Sequence, residues 1–158
     1  MNKENQLHDD NKSNIWLLDA GITIERRSTL IIDSKDTKWL KILDDRKIAH
    51  PIIIHGSLLI DSVKVTSWDP NISDYVKFAP EILQDNEYEH TGIDAVPRPY
   101  IMIDNDATGI TNITNSEIAY LGYECGGACS GISYYGETNR DRNDDHLNII
   151  KNNEIHNN

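Results

Sequence analysis

The chain has no apolar run long enough to span a bilayer as a helix, which excludes that kind of membrane crossing. It has no basic run longer than Arg26-Arg27 and a net charge of −11. Phosphate neutralisation needs a basic surface, so nucleic acid is excluded as a natural partner. Cysteine is confined to Cys125 and Cys129. That allows at most one disulfide and is too few thiolates for a four-cysteine metal centre. Met1 to Asn14 is polar and lacks the apolar core of a signal peptide, so if the intact protein is exported this stretch does not carry the signal. Helical periodicity is missing too. The nearest approach to an i, i+3, i+4, i+7 stripe is Asp74–Leu83, and Pro80 interrupts it.

What is present is a strand-and-turn texture. Of 158 residues 38% are apolar, with a mean hydropathy of −0.55. That is polar for a globular protein but above the disordered range. Ile, Leu and Val fall in short clusters at Ile15–Leu18, Gly21–Glu25, Thr29–Ile32, Trp39–Leu43, Pro51–Ile54, Leu58–Ile60 and Val63–Thr66. Asp, Ser, Gly or Lys separates one cluster from the next, as expected of short β-strands. Strands resume at Pro99–Ile103, Ile113–Ile118, Gly131–Tyr135 and Leu147–Ile155. Asn occurs 16 times. Its side chain tolerates the left-handed backbone of sharp corners and can bond to other Asn side chains along a stack.

Three segments superimpose: Leu58–Val65, Thr111–Ile118 and Asn148–Ile155. Ile60, Ile113 and Ile150 fall in register, as do Val65, Ile118 and Ile155, with Ser62, Asn115 and Asn152 at the corner between them. Strand, tight polar corner, strand, repeated, predicts an all-β solenoid of coils. The third copy ends at Asn158, so the chain is expected to be the opening stretch of a longer solenoid with an exposed apolar end. Residues 1–14 are expected to be a disordered or loosely attached lead, and residues 15–158 the coils. Two exposed excursions are expected, at 69–99, with seven acidic residues against two basic, and at 137–145.

Four ordered fragments carry a family resemblance. They are Val65-Thr66-Ser67-Trp68-Asp69, Arg98-Pro99-Tyr100-Ile101, Ser116-Glu117-Ile118-Ala119-Tyr120-Leu121-Gly122-Tyr123 and Asn152-Asn153-Glu154-Ile155-His156-Asn157-Asn158. Together they resemble the early coils of the right-handed parallel β-helix family that includes mannuronan epimerases. The resemblance implies a carbohydrate-active protein of the cell surface or exterior, monomeric, that acts on or binds an acidic polysaccharide. It also implies an Asp-Pro-His catalytic segment, which is absent; Asp69-Pro70 is followed by Asn71. No turnover is therefore expected from this chain alone. The alternative is a non-catalytic module for binding surface polysaccharide or building the envelope.

The implied reaction abstracts the proton beside a uronate carboxylate, which calls for a cation, a base and an acid. Arg98 is the candidate to hold the carboxylate through its planar fork, unless Pro97 and Pro99 simply set it on the surface. His156 follows Ile155, so an inward Ile155 turns His156 outward onto an exposed strand face. Tyr120 and Tyr134 are candidate sugar platforms, with Tyr134 and Tyr135 facing opposite ways. Trp68 is expected to pack under the acidic excursion. Cys125 and Cys129 are expected to form a local disulfide or to remain two thiols. No metal ligands are assigned. Calcium is the one cofactor left open, through Asp141, Asp144 and Asp145, although their spacing lacks the EF-hand pattern.

Overall fold

The computed structural model describes residues 7–9, 14–75, 97–123, 127–135 and 148–158. Most of the 69–99 excursion lies outside these residues, as do all of 137–145, Asp141, Asp144, Asp145 and Cys125. Among the described residues every regular element is a strand.

The first turn of the chain is β2 (Ile15–Leu18), β3 (Ile22–Ile24) and β4 (Thr29–Asp33). The second is β5 (Trp39–Leu43), β6 (Ile52–Ile54) and β7 (Ser57–Asp61); the third is β8 (Lys64–Trp68), β9 (Ile101–Asp104) and β10 (Thr111–Thr114). The fourth is β11 (Glu117–Ala119), β12 (Ile132–Tyr135) and β13 (Ile149–Lys151), and β14 (Glu154–His156) opens a fifth. The chain visits three sheets in rotation. The first sheet runs β1-β2-β5-β8-β11-β14, where β1 is Leu7–Asp9; the second runs β3-β6-β9-β12 and the third β4-β7-β10-β13. All pairings are parallel except that of β1 with β2. This all-β arrangement is consistent with a parallel β-helix. β1 falls inside the stretch expected to be a loose lead; it lies antiparallel on β2 and covers that edge strand's hydrogen-bonding groups.

The repeat predicts the register. Ile113 pairs with Ile60 on one side and Ile150 on the other, and Ile118 with Val65 and Ile155. The corner residues Ser62, Asn115 and Asn152 have φ of 58°, 52° and 57°. Non-glycine residues adopt this left-handed region at a cost unless the side chain compensates. Here it does. Asn115 Nδ2 donates to Asp61 Oδ1 at 2.8 Å, and Asn152 Nδ2 donates to Asn115 Oδ1 at 3.3 Å. One residue on, Asn153 accepts from the Ser116 N–H at 2.9 Å and donates to the Ile113 carbonyl at 2.7 Å. Each turn thus clips the next. Asn115→Ala is expected to lower stability by about 1–2 kcal/mol and Asn115→Gly by less, because glycine takes the same φ freely. Urea unfolding of both variants checks this; equal losses would show that backbone strain is not involved.

Inward side chains fill the interior. Leu18, Ile42, Ile52, Ile54, Leu58, Ile60, Ile101, Ile113 and Ile118 are all buried. At the other extreme of the stack Ile150 and Ile155 keep the inward register yet are exposed, because β13 and β14 are edge strands with no turn packed over them among the described residues.

Candidate functional site

Alternation along the first sheet decides which side chains leave the core. With Leu40, Ile42, Val65 and Ile118 inward, the residues between them point outward: Trp39 and Lys41, then Lys64, Thr66 and Trp68, then Glu117 and Ala119. The parallel register lines these up across four turns. One row is Trp39, Lys64, Glu117 and Glu154; the next is Lys41, Thr66, Ala119 and His156. Thr66 and Ala119 are small and fully buried, and form a floor under the larger groups.

The rings above that floor touch one another. Trp39 donates its Nε1–H to Thr66 Oγ1 at 2.9 Å, which holds the indole on the sheet. Trp68 meets it edge to face at 5.4 Å between centroids, and Tyr75 lies 5.9 Å from Trp39 and 6.2 Å from Trp68. Tyr75 then stacks on Tyr120 at 4.6 Å with the planes only 5° apart, and Tyr120 meets the His156 ring at 5.9 Å. Tyr120 reaches this position through a left-handed backbone, φ 59°. The result is a half-buried aromatic ledge running from the second turn to the fifth.

Two ammonium groups sit on this ledge. Lys41 Nζ is 3.3 Å from the Trp68 centroid and 4.4 Å from that of Trp39. Lys64 Nζ lies 5.2 Å from Trp39 and 5.0 Å from Tyr75 and pairs with Glu117 Oε1 at 3.0 Å. Burial pulls the Lys64 pKa down, but hydrogen bonds with Tyr75 and Glu117 outweigh it and hold the amine above its usual range. The Glu117 carboxylate also approaches His156 Nε2 at 3.4 Å, so cation, acid and imidazole meet at one point.

The corner from the first sheet to the second frames one edge of the ledge. It spans only 19–21 in the first turn but 44–51, 69–100 and 120–131 in the next three. Under this corner lies a buried polar group. Asp44 accepts the Arg46 N–H at 3.0 Å through Oδ1, while its Oδ2 has no hydrogen-bond partner among the described residues. Burial raises its pKa from 3.8 to about 6, against the pull of the Arg46 N–H and of Arg98. Arg46 also reaches the buried Asp69 at 3.6 Å.

Of the residues singled out from sequence, Tyr120 and His156 come together on the ledge. Arg98 does not join them. Its Nε donates to the Gly122 carbonyl and its charge faces Asp44, inside the corner. Tyr134 is also elsewhere, on β12 of the second sheet in register with the buried Ile103, and is exposed because β12 is an edge strand. Tyr135 points the other way, beside Asp104. Cys129 is disulfide-bonded.

Sequence reasoning missed Trp39, Lys41, Lys64, Tyr75 and Glu117. A signal existed for the strand residues among them: aligning Trp39–Leu43 with Lys64–Trp68 places two tryptophans and two lysines on one outer face. Tyr75 gave none, because it arrives from the long corner. Trp68 packs beneath Tyr75, a residue of the acidic excursion.

An open hollow of about 370 Å³ lies on the third sheet against Ile31, Leu59 and Asn112, with Asp33 and Asp61 in its wall. A group with metal-ligating atoms, His55, Asp104 and Asp106, sits at the corner between the second and third sheets. Among the described residues no helix is long and apolar enough to cross a membrane.

No family model, curated protein or solved structure matches the chain. The likeness to mannuronan epimerases rests on the four sequence fragments alone.

Proposed function

We propose that the chain forms the N-terminal coils of a right-handed, mannuronan epimerase-like β-helix protein of the cell surface or exterior, and that its ledge binds an acidic polysaccharide. The right-handed sense follows the general rule for parallel strands joined by crossovers. The observation that carries the proposal is the ledge itself: Trp39, Trp68, Tyr75 and Tyr120 in one contact chain, with Lys41 and Lys64 over the rings. A pyranose presents an apolar C–H face, which packs on aromatic rings. A uronate adds a carboxylate at the ring's rim, where an ammonium group meets it. Sugar carboxylates repelled by the net charge of −11 still dock, because screening at physiological salt confines that repulsion to about 8 Å. The acid-walled hollow of the third sheet lacks this complementarity.

The Lys64, Glu117 and His156 meeting point has the group types for proton transfer beside a carboxylate. No Asp-Pro-His segment occurs among these 158 residues, so the proposal for this chain alone is binding without turnover.

Tryptophan fluorescence titrated with defined oligomannuronate, oligoguluronate and neutral glucan tests this. An acidic oligomer is expected to quench and bind while the neutral one does not, and Trp68→Ala is expected to weaken binding by about tenfold or more. Equal response to neutral and acidic oligomers, or unchanged affinity in the Trp68→Ala protein, would refute the proposal.

A further inference from the structure

The corner between the second and third sheets holds donors that the ledge does not use. Ile54 and Ile103 are cross-strand partners buried in the core, so the residues that follow them, His55 and Asp104, stack outward on adjacent turns. Ile24 pairs with Ile54 in the same way, which sets Glu25 beside His55 from the first turn. The backbone here is well tied. The His55 N–H donates to the Ile24 carbonyl at 2.9 Å, and the Thr108 N–H to the His55 carbonyl at 2.8 Å. The Ala107 N–H donates to the Asp104 carbonyl at 3.1 Å, a tight turn that brings Asp106 back over His55. Asp106 Oδ1 is hydrogen-bonded to His55 Nδ1, and its second oxygen, Oδ2, is gripped by Arg26.

We propose that His55, Asp104 and Asp106 form a binding site for a divalent transition-metal ion of the zinc class. One imidazole nitrogen and two carboxylates make a mixed donor set that suits such ions, whereas calcium favours oxygen alone. The three donor atoms already lie within 4.8 Å of one another. A tetrahedral zinc with ligands at about 2.0–2.2 Å needs them about 3.3 Å apart, so the hydrogen-bonded His55 and Asp106 atoms part to admit the ion while Asp104 draws in, a change that small side-chain rotations supply. Charge also favours it: Glu25, Asp104 and Asp106 converge on His55 while Arg26 is the counter-charge paired with Asp106. Arg26 need not leave. It holds Oδ2 and so aims Oδ1 at the ion, the way an outer partner orients a ligating carboxylate. All three ligands are partly exposed, so water can complete the shell.

The ion would join the second turn to the third, on either side of the 69–100 insertion. An ion bound only by the folded chain raises stability by mass action. The site is on a different corner from the ledge, so saccharide binding and metal binding stand or fall separately.

Calorimetric titration of zinc chloride into the metal-free 158-residue chain, with thermal unfolding in parallel, provides the test. One equivalent is expected, weakened at least about tenfold by His55→Gln and by Asp104→Asn. Zinc is expected to raise the Tm of the native chain and not that of the variants. Circular dichroism reports whether the variants fold; both side chains reach solvent, so folding is expected. In the native chain, where no variant is needed, saturating zinc is expected to shift the ¹⁵N resonances of the His55 ring. Undisturbed His55 resonances, native-like affinity in both variants, or no Tm change at about 1 mM zinc would each overturn the proposal.

Discussion

Replacing Ile113 by alanine is expected to destabilise the fold by about 2–5 kcal/mol, whereas Ile150→Ala should cost about 1 kcal/mol or less. The two isoleucines occupy the same row, one turn apart, and pair directly across β10 and β13. Their difference is coverage. Ile113 is 0% exposed between Ile60 and Ile150, so truncation leaves a cavity whose walls are held by strands on both sides. Ile150 is 47% exposed on an edge strand, so its truncation removes little buried surface and leaves no enclosed void. Urea unfolding of the two variants, with m-values compared to confirm that the same structure is lost, measures the contrast. Similar losses at both positions would mean that Ile113 is not sandwiched between turns, and the stacked-row architecture would fall with it.

The second large effect is a pH dependence set by one buried carboxyl. Asp44 is 0% exposed, its Oδ2 has no partner among the described residues, and its pKa is raised from 3.8 to about 6, chiefly by burial. Between those two values the native state keeps a proton that the unfolded chain has released. Stability therefore falls as pH rises from about 4 to about 6 and stays at the lower level above that, a loss of about 3 kcal/mol from this group. An asparagine side chain in its place would keep an oxygen for the Arg46 N–H, and it carries no charge to desolvate. The Asp44→Asn protein is thus expected to match the wild type near pH 4 and to exceed it at pH 8 by up to about 3 kcal/mol. The loss of attraction to Arg98 and Arg46 is already contained in the net shift, since both act to lower the Asp44 pKa. Chemical unfolding of both proteins across a pH range of about 4–8 reads the difference directly. Parallel profiles would show that Asp44 is not the source.

Much of the architecture was legible because it is local and periodic. An Ile-x-Ser/Asn-x-x-Ile/Val spacing repeated three times dictates that Ile60, Ile113 and Ile150 share a row, since one residue of slip would turn every buried side chain outward. The left-handed corners at Asn115 and Asn152 follow from the same spacing, because only a few residue types take that backbone at low cost. Tyr120 and His156 were also within reach, the latter by simple alternation from Ile155.

The functional face was not legible in the same way. Trp39 and Trp68 lie 29 positions apart, Tyr75 comes from the long corner, and Tyr120 comes from another turn; their contact depends on the offset with which whole turns stack. The placement of Arg98 was not legible for a related reason: flanking prolines say where its backbone goes but not that its guanidinium folds back to the Gly122 carbonyl and Asp44.

What the amino-acid order determined by itself is the alternation of inward and outward side chains, the positions of the tight corners and hence the stacking of aliphatic rows, because these depend on the chemistry of residues a few positions apart. Only the tertiary structure decided which outward residues became neighbours, the aromatic ledge with its lysines and the His55, Asp104 and Asp106 group. Those neighbours are brought together across turns separated by insertions of unequal length, and the length of an insertion carries no information about where the next turn docks.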